Sequence, residues 1–137
     1  MTNDSIISYP SNFLSDINIT IVFKENENYD TLKKQFETYG YGFLIPNIKT
    51  IILDGEVFLG DQGLTFDDMK FVEAHEIAHI LLGHDGPRNE QDELEADLGA
   101  YKILKKHNLK KSIDRLIEQF ENRHGIKFDE SLLEIIE

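Results

Sequence analysis

The chain contains no cysteine. Disulfides and thiolate metal sites are therefore excluded, and any bound metal is left to His, Asp and Glu. It also lacks an apolar run approaching the roughly 20 residues that span a bilayer, so no membrane association is expected. Residues 1–16, MTNDSIISYPSNFLSD, lack the positive start and uninterrupted apolar stretch of a signal peptide. A cytoplasmic location is the expectation. Positive charge is scarce: 14 Lys and Arg stand against 26 Asp and Glu, a net charge of −12. Such a surface repels phosphate backbones, which argues against direct nucleic-acid binding. The one basic concentration (Lys102, Lys105, Lys106, Lys110, Lys111 and Arg115) reads as a solvated face with cations near a helix C-terminus, where the dipole favours them. Internal repeats and low-complexity linkers are missing too, so a single domain over residues 1–137 is expected.

What is present points to an α+β fold, with strands in the first half and helices in the second. INITIVF (17–23) is β-branched and partly alternating, and reads as a strand. In YDTLKKQFETYGYG, Leu32, Phe36 and Tyr39 recur at helical spacing, with Asp30 as N-cap and Gly40 as stop. IKTIILDGEVFLG (48–60) reads as two strands around Asp54-Gly55, a hairpin signal, with Gly60 and Gly63 closing the unit. Residues 6–14 are too short and mixed to assign. A helix follows from about 67 to 83, capped by Thr65 or Asp67 and stopped at Gly83. Its apolar residues surround it almost completely, which predicts burial. A second helix covers about 89–106. Residues 112–123 and 129–136 read as two more amphipathic helices separated by a turn at Gly125.

The buried helix carries FVEAHEIAHILLGHD (71–85). Positions four apart in a helix lie on one face, so His75 and His79 can present imidazoles to a single ion. Glu76 falls beside the metal's open position, where it can take a proton from a water that zinc acidifies toward pKa ~7. This is the H-E-x-x-H pattern with its mechanism attached. The competing explanation is a histidine pair satisfied within the core. Ionisable groups in an apolar helix need partners, because burying them unpaired costs several kcal/mol.

A catalytic zinc normally keeps three protein ligands and one open position. The third is sought in NEQDELEADLGAYKIL. Glu93, Asp97, Ala100, Tyr101 and Leu104 share a stripe that turns apolar and so faces the core. Glu95, Gly99, Lys102 and Lys106 share a stripe that ends in lysines, as a solvated face does. Glu93 is then the third ligand, with Glu90, on the same stripe, as runner-up. Asp97 can accept the free ring N–H of a ligand histidine. His84, just past Gly83, points elsewhere: a substrate-side group, a support for a ligand, or a plain loop residue.

At HEIAHILLGH followed by ELEAD the chain resembles the ImmA/IrrE-type metallopeptidases, a zincin family. The strand-rich IILDGEVFLG before the helix is similar as well, and the resemblance covers roughly residues 48–104. It implies a zincin-like domain with a short sheet packed on the active-site helix, zinc held by His75, His79 and Glu93, and Glu76 as general base. It also implies cytoplasmic cleavage of a protein substrate, often a repressor or other regulatory protein. The helix-turn-helix domain fused to many members is missing from the sequence, and no oxyanion-stabilising residue is fixed. Tyr39, Tyr41, His84, Arg88 and Tyr101 are the candidates. The leading expectation is a zinc endopeptidase whose extended substrate pairs with the edge of the 48–60 sheet. The alternative is a catalytically silent zincin-fold module that sequesters a protein partner. Retention of Glu76 favours the enzyme, since a purely structural site has no use for a general base.

Overall fold

Alternating Asn18, Ile19, Thr20 and Ile21 form the centre of a four-stranded sheet, with the two isoleucines buried. The structure is a computed structural model that describes residues 6–59, 65–84 and 89–137. Two compact units make up the chain, Met1–Met69 and Lys70–Glu137. The architecture is α+β: the sheet lies in the first half and the second half is mostly helical.

In the first unit, strands β1 (Ile6–Pro10), β2 (Asn18–Val22), β3 (Gly42–Ile45) and β4 (Thr50–Asp54) are arranged in the order β1-β2-β4-β3. β2 and β4 are parallel, with Ile19 opposite Ile51 and Ile21 opposite Leu53; the outer pairings are antiparallel. A parallel pair needs a long crossover. Helix α1 (Tyr29–Thr38) and β3 supply it. Phe36, fully buried, anchors α1 through ring contacts with Tyr29 and Phe43. Gly40 adopts φ +75° just beyond α1, as the expected stop requires. Asn28, not Asp30, is the N-cap residue; Asp30 lies in the first turn.

The hairpin expected at Asp54-Gly55 does not form. β4 ends at Asp54, and residues Gly55–Phe58 make a short helix, α2. The Asp54 carboxylate accepts the Glu56 N–H as a helix cap at 3.0 Å and receives the Tyr29 hydroxyl at 3.0 and 3.1 Å. Gly55 is required for space: a Cβ there would lie 2.6 Å from the Phe23 ring. Asp and Gly thus serve a cap and a close approach, not a tight turn. The actual hairpin joins β3 to β4 through Pro46–Lys49, with Lys49 at φ +49°. β4 is paired on both sides, so it offers no edge to an extended substrate, contrary to expectation; the outer strands are β1 and β3. Gly60 and Gly63 lie outside the described residues.

Helix α3 (Phe66–Leu81) begins in the first unit and continues into the second. Thr65 caps it: its hydroxyl oxygen accepts the Asp68 N–H at 3.4 Å, while its own N–H and hydroxyl donate to the Asp68 carboxylate at 2.8 and 2.9 Å. From Asp68 to His79 every residue except Val72 is buried, as the all-round apolar pattern predicts. Lys70 and Glu73, charged within that stretch, pair at 3.0 Å. Helix α4 (Glu90–Lys106) opens on a capping box between Asn89 and Asp92, and α5 (Lys110–His124) ends at Gly125 with φ +66°. Glu130–Ile136 forms a 3₁₀ helix in place of the expected amphipathic α-helix.

Glycine also sets how α4 meets α3. A Cβ on Gly99 would stand 2.8 Å from the Ala78 Cβ. Lys102 and Lys106 are exposed, as expected, but Gly99 faces α3 and does not belong to a solvated stripe. Gly99→Ala must push the two helices apart and is expected to destabilise the protein by about 1–3 kcal/mol, despite Ala's better helix propensity. Urea unfolding of the variant checks this; stability equal to or above wild type would contradict the close approach.

Candidate metal centre

α3 supplies two histidines one turn apart, and α4 brings a carboxylate to both. The His75 and His79 rings meet edge to face, with centroids 4.7 Å apart and their Nε2 atoms at 3.1 Å. Glu93 reaches His75 Nε2 through Oε2 at 2.8 Å and His79 Nε2 through Oε1 at 3.4 Å. One donor atom from each of the three lies within 4.8 Å of the others. Two imidazole nitrogens and a carboxylate oxygen, with no thiolate, are the donor set of a catalytic zinc that keeps a fourth position open.

The far sides of both rings are also held. His75 Nδ1 lies 2.7 Å from Asp97 Oδ1, and Asp97 is fully buried. The other Asp97 oxygen meets His124 Nε2 at 2.7 Å, and Arg123 stands 3.4 Å from both oxygens. An Asp97 that accepts the Nδ1–H leaves the His75 Nε2 lone pair turned toward Glu93 and His79, as metal ligation requires. His79 Nδ1 lies 2.8 Å from His84 Nδ1, and His84 Nε2 lies 2.8 Å from Glu95 Oε1.

Electrostatics follow from these contacts. Burial pulls the His75 pKa down, but hydrogen bonds to Asp97 and Glu93, with the nearby charges of Asp97 and Glu76, outweigh it and raise the pKa to about 9. Burial pushes Glu93 and Asp97 up, and their histidine partners more than reverse that, so both carboxyls end below their ordinary range. The sign for stability differs between the two kinds of group. A histidine raised in the folded state stabilises below its unfolded pKa of about 6.5, and that contribution is lost as pH rises through about 9. Depressed carboxyls stabilise above their unfolded values of about 4, and that is lost as pH falls. The metal-free protein is therefore expected to be most stable between about pH 4.5 and 6.5 and to weaken toward pH 9. Thermal melts of chelator-treated protein across that range check it; stability rising from pH 6.5 to 9 would contradict the assignment.

The structure brings His75, His79, Glu93 and Asp97 together, and Glu76 is buried next to His75 on the same helix. Glu90, the runner-up ligand, is exposed at the first turn of α4. His84 does not point away: it is bonded to His79. Glu95 is not on an idle solvated face, since it receives His84 and Gln91. Tyr101 is buried with its ring against Phe128, whereas Tyr39 and Tyr41 belong to the first unit. Arg88 lies outside the described residues. Sequence reasoning missed Arg123 and His124. Their one signal is two basic residue types in the last turn of an amphipathic helix, a placement common at helix C-termini.

Among the described residues, no helix is long and apolar enough to cross a membrane. Comparison of the chain with family models, with curated proteins and with solved structures finds no match.

Proposed function

We propose that the protein is a small zinc-dependent endopeptidase with a zincin-like catalytic unit, acting on a protein or peptide substrate of regulatory type. The observation that carries this reading is the convergence of His75 Nε2, His79 Nε2 and a Glu93 carboxylate oxygen within 4.8 Å, backed by Asp97 on the far side of His75. His75, His79 and Glu93 would hold the ion. Zinc, when bound, supplies Lewis acidity and lowers the pKa of water toward ~7.

The remaining chemistry falls to the chain. Glu76 directly follows a ligand in α3 and is 4% exposed, so it meets its proton donor away from bulk solvent. It accepts the proton of the attacking water and passes it to the departing amine, which turns an amide nitrogen into a viable leaving group. Asp97 keeps the His75 ring oriented, while His124 Nε2 and the Arg123 guanidinium pair with its other side. A silent binding module would need none of this proton-transfer capacity at position 76.

The test is proteomic. Cells expressing wild type should contain protein fragments with new N-termini that are missing from cells expressing Glu76→Gln at equal abundance. Identical fragment sets would contradict the proposal.

A further inference from the structure

Past the end of α3 the chain makes a turn that matters for the metal centre. Gly83, at φ +71°, lets its N–H bond the Ile80 carbonyl at 3.1 Å and the His84 N–H bond the His79 carbonyl at 3.0 Å. This pair of bonds is a Schellman cap, and Gly fits its left-handed position without strain. The cap folds His84 back over the last turn of α3, with a side chain only 7% exposed. Its Nδ1 then meets His79 Nδ1 at 2.8 Å.

A contact of that length between two ring nitrogens holds one proton: two N–H groups would collide, and two lone pairs would repel. On the zinc reading of the site, His79 donates its Nε2 lone pair to the ion, so a neutral ring carries its hydrogen on Nδ1. His79 Nδ1–H must then donate to His84 Nδ1. That makes His84 an acceptor there and puts its own hydrogen on Nε2. The acceptor for it is in place: Glu95 Oε1 lies 2.8 Å away, and Gln91 Nε2 donates to the other Glu95 oxygen at 3.0 Å.

We propose that His84 and Glu95 are positioning residues: a hydrogen-bonded relay that locks His79 in its metal-binding tautomer, as Asp97 does for His75. The inference rests on the zinc reading and extends it to the second ligand. It also decides a competing use of the same groups. His84, Asp92 and Glu95 offer donor atoms within 4.8 Å of one another, as a second cation would need. A cation there must take the His84 Nε2 lone pair. That moves the hydrogen to Nδ1 and sets it against the His79 Nδ1–H. With neutral rings, the relay and a second cation exclude each other.

Zinc titrations, zinc stoichiometry and spectra of the full chain test this. Zinc titration against a competing chelator should show His84→Phe weakened by about 10–100-fold, the usual effect of removing a partner behind a ligand. His84→Asn, whose carbonyl can accept near the lost Nδ1, should recover most of that affinity. Nitrogen-15 spectra of the zinc-loaded wild type should show His84 protonated on Nε2 and bare on Nδ1. Should the Phe variant fail to fold, the wild-type tautomer alone decides. Wild-type affinity in His84→Phe, or a His84 hydrogen on Nδ1, overturns the relay and leaves the zinc reading standing. So does a second zinc per chain that Glu95→Ala removes. A wild type that takes no zinc overturns both.

Discussion

Glu76→Gln is expected to keep its metal and lose proteolysis by roughly 10²- to 10⁴-fold, the range that a positioned general base contributes. The amide matches the carboxylate in size, so the buried position next to His75 tolerates it without a cavity. It cannot accept the proton of the attacking water, and the step that converts the amide nitrogen into a leaving amine fails with it. Turnover of a cleavable substrate and zinc content should be measured on the same preparation. Loss of zinc and activity together would give Glu76 a ligand or structural role. Unchanged turnover would remove it from the mechanism.

Asp97→Ala is expected to be the most destabilising single change at the centre, costing about 3–5 kcal/mol, as breaking a buried ion pair does. Asp97 is fully buried and serves His75, His124 and Arg123 together. Truncation leaves the buried His75 Nδ1 without its acceptor, and a His124 ring, 9% exposed, without its own. Asp97→Asn retains an oxygen that can accept one of these N–H groups, so it should lie between wild type and Ala. Urea unfolding of metal-free protein near pH 6 gives the order. An Ala variant as stable as wild type would show that the cluster contributes nothing to folding.

How far the site could be read from sequence depended on whether its groups share a helix. His75 and His79 are legible because a four-residue spacing fixes their relation whatever surrounds them. Glu93 and Asp97 follow from helix phase: the same stripe continues into buried Ala100, Tyr101 and Leu104. For His84 the sequence leaves three roles open because its direction depends on one left-handed glycine, and a Schellman cap returns the chain where a plain loop would carry it away. Glu95 went with it, since a half-buried carboxylate on a lysine-bearing stripe has purpose only once His84 is placed. Arg123 and His124 arrive from another helix, 26 and 27 residues beyond Asp97, and no local periodicity encodes such a contact.

The fold shows the same division. β2 and α1 carry clean patterns and were found. β1 and β3 are outer strands with mixed, partly exposed residues, and they gave no period to read. Asp54-Gly55 misled because one dipeptide suits two local structures. Tertiary partners, the Tyr29 hydroxyl and the Phe23 ring, select the helix cap over the hairpin.

The most direct test of the metal centre is elemental analysis of protein purified without chelator, with Glu93→Gln alongside. Wild type should carry about one zinc per chain, as three convergent ligands require, and should melt at a higher temperature with zinc than after stripping. Glu93→Gln, short of one anionic ligand, should retain far less. A wild type without stoichiometric metal and without stabilisation on adding zinc would contradict the account.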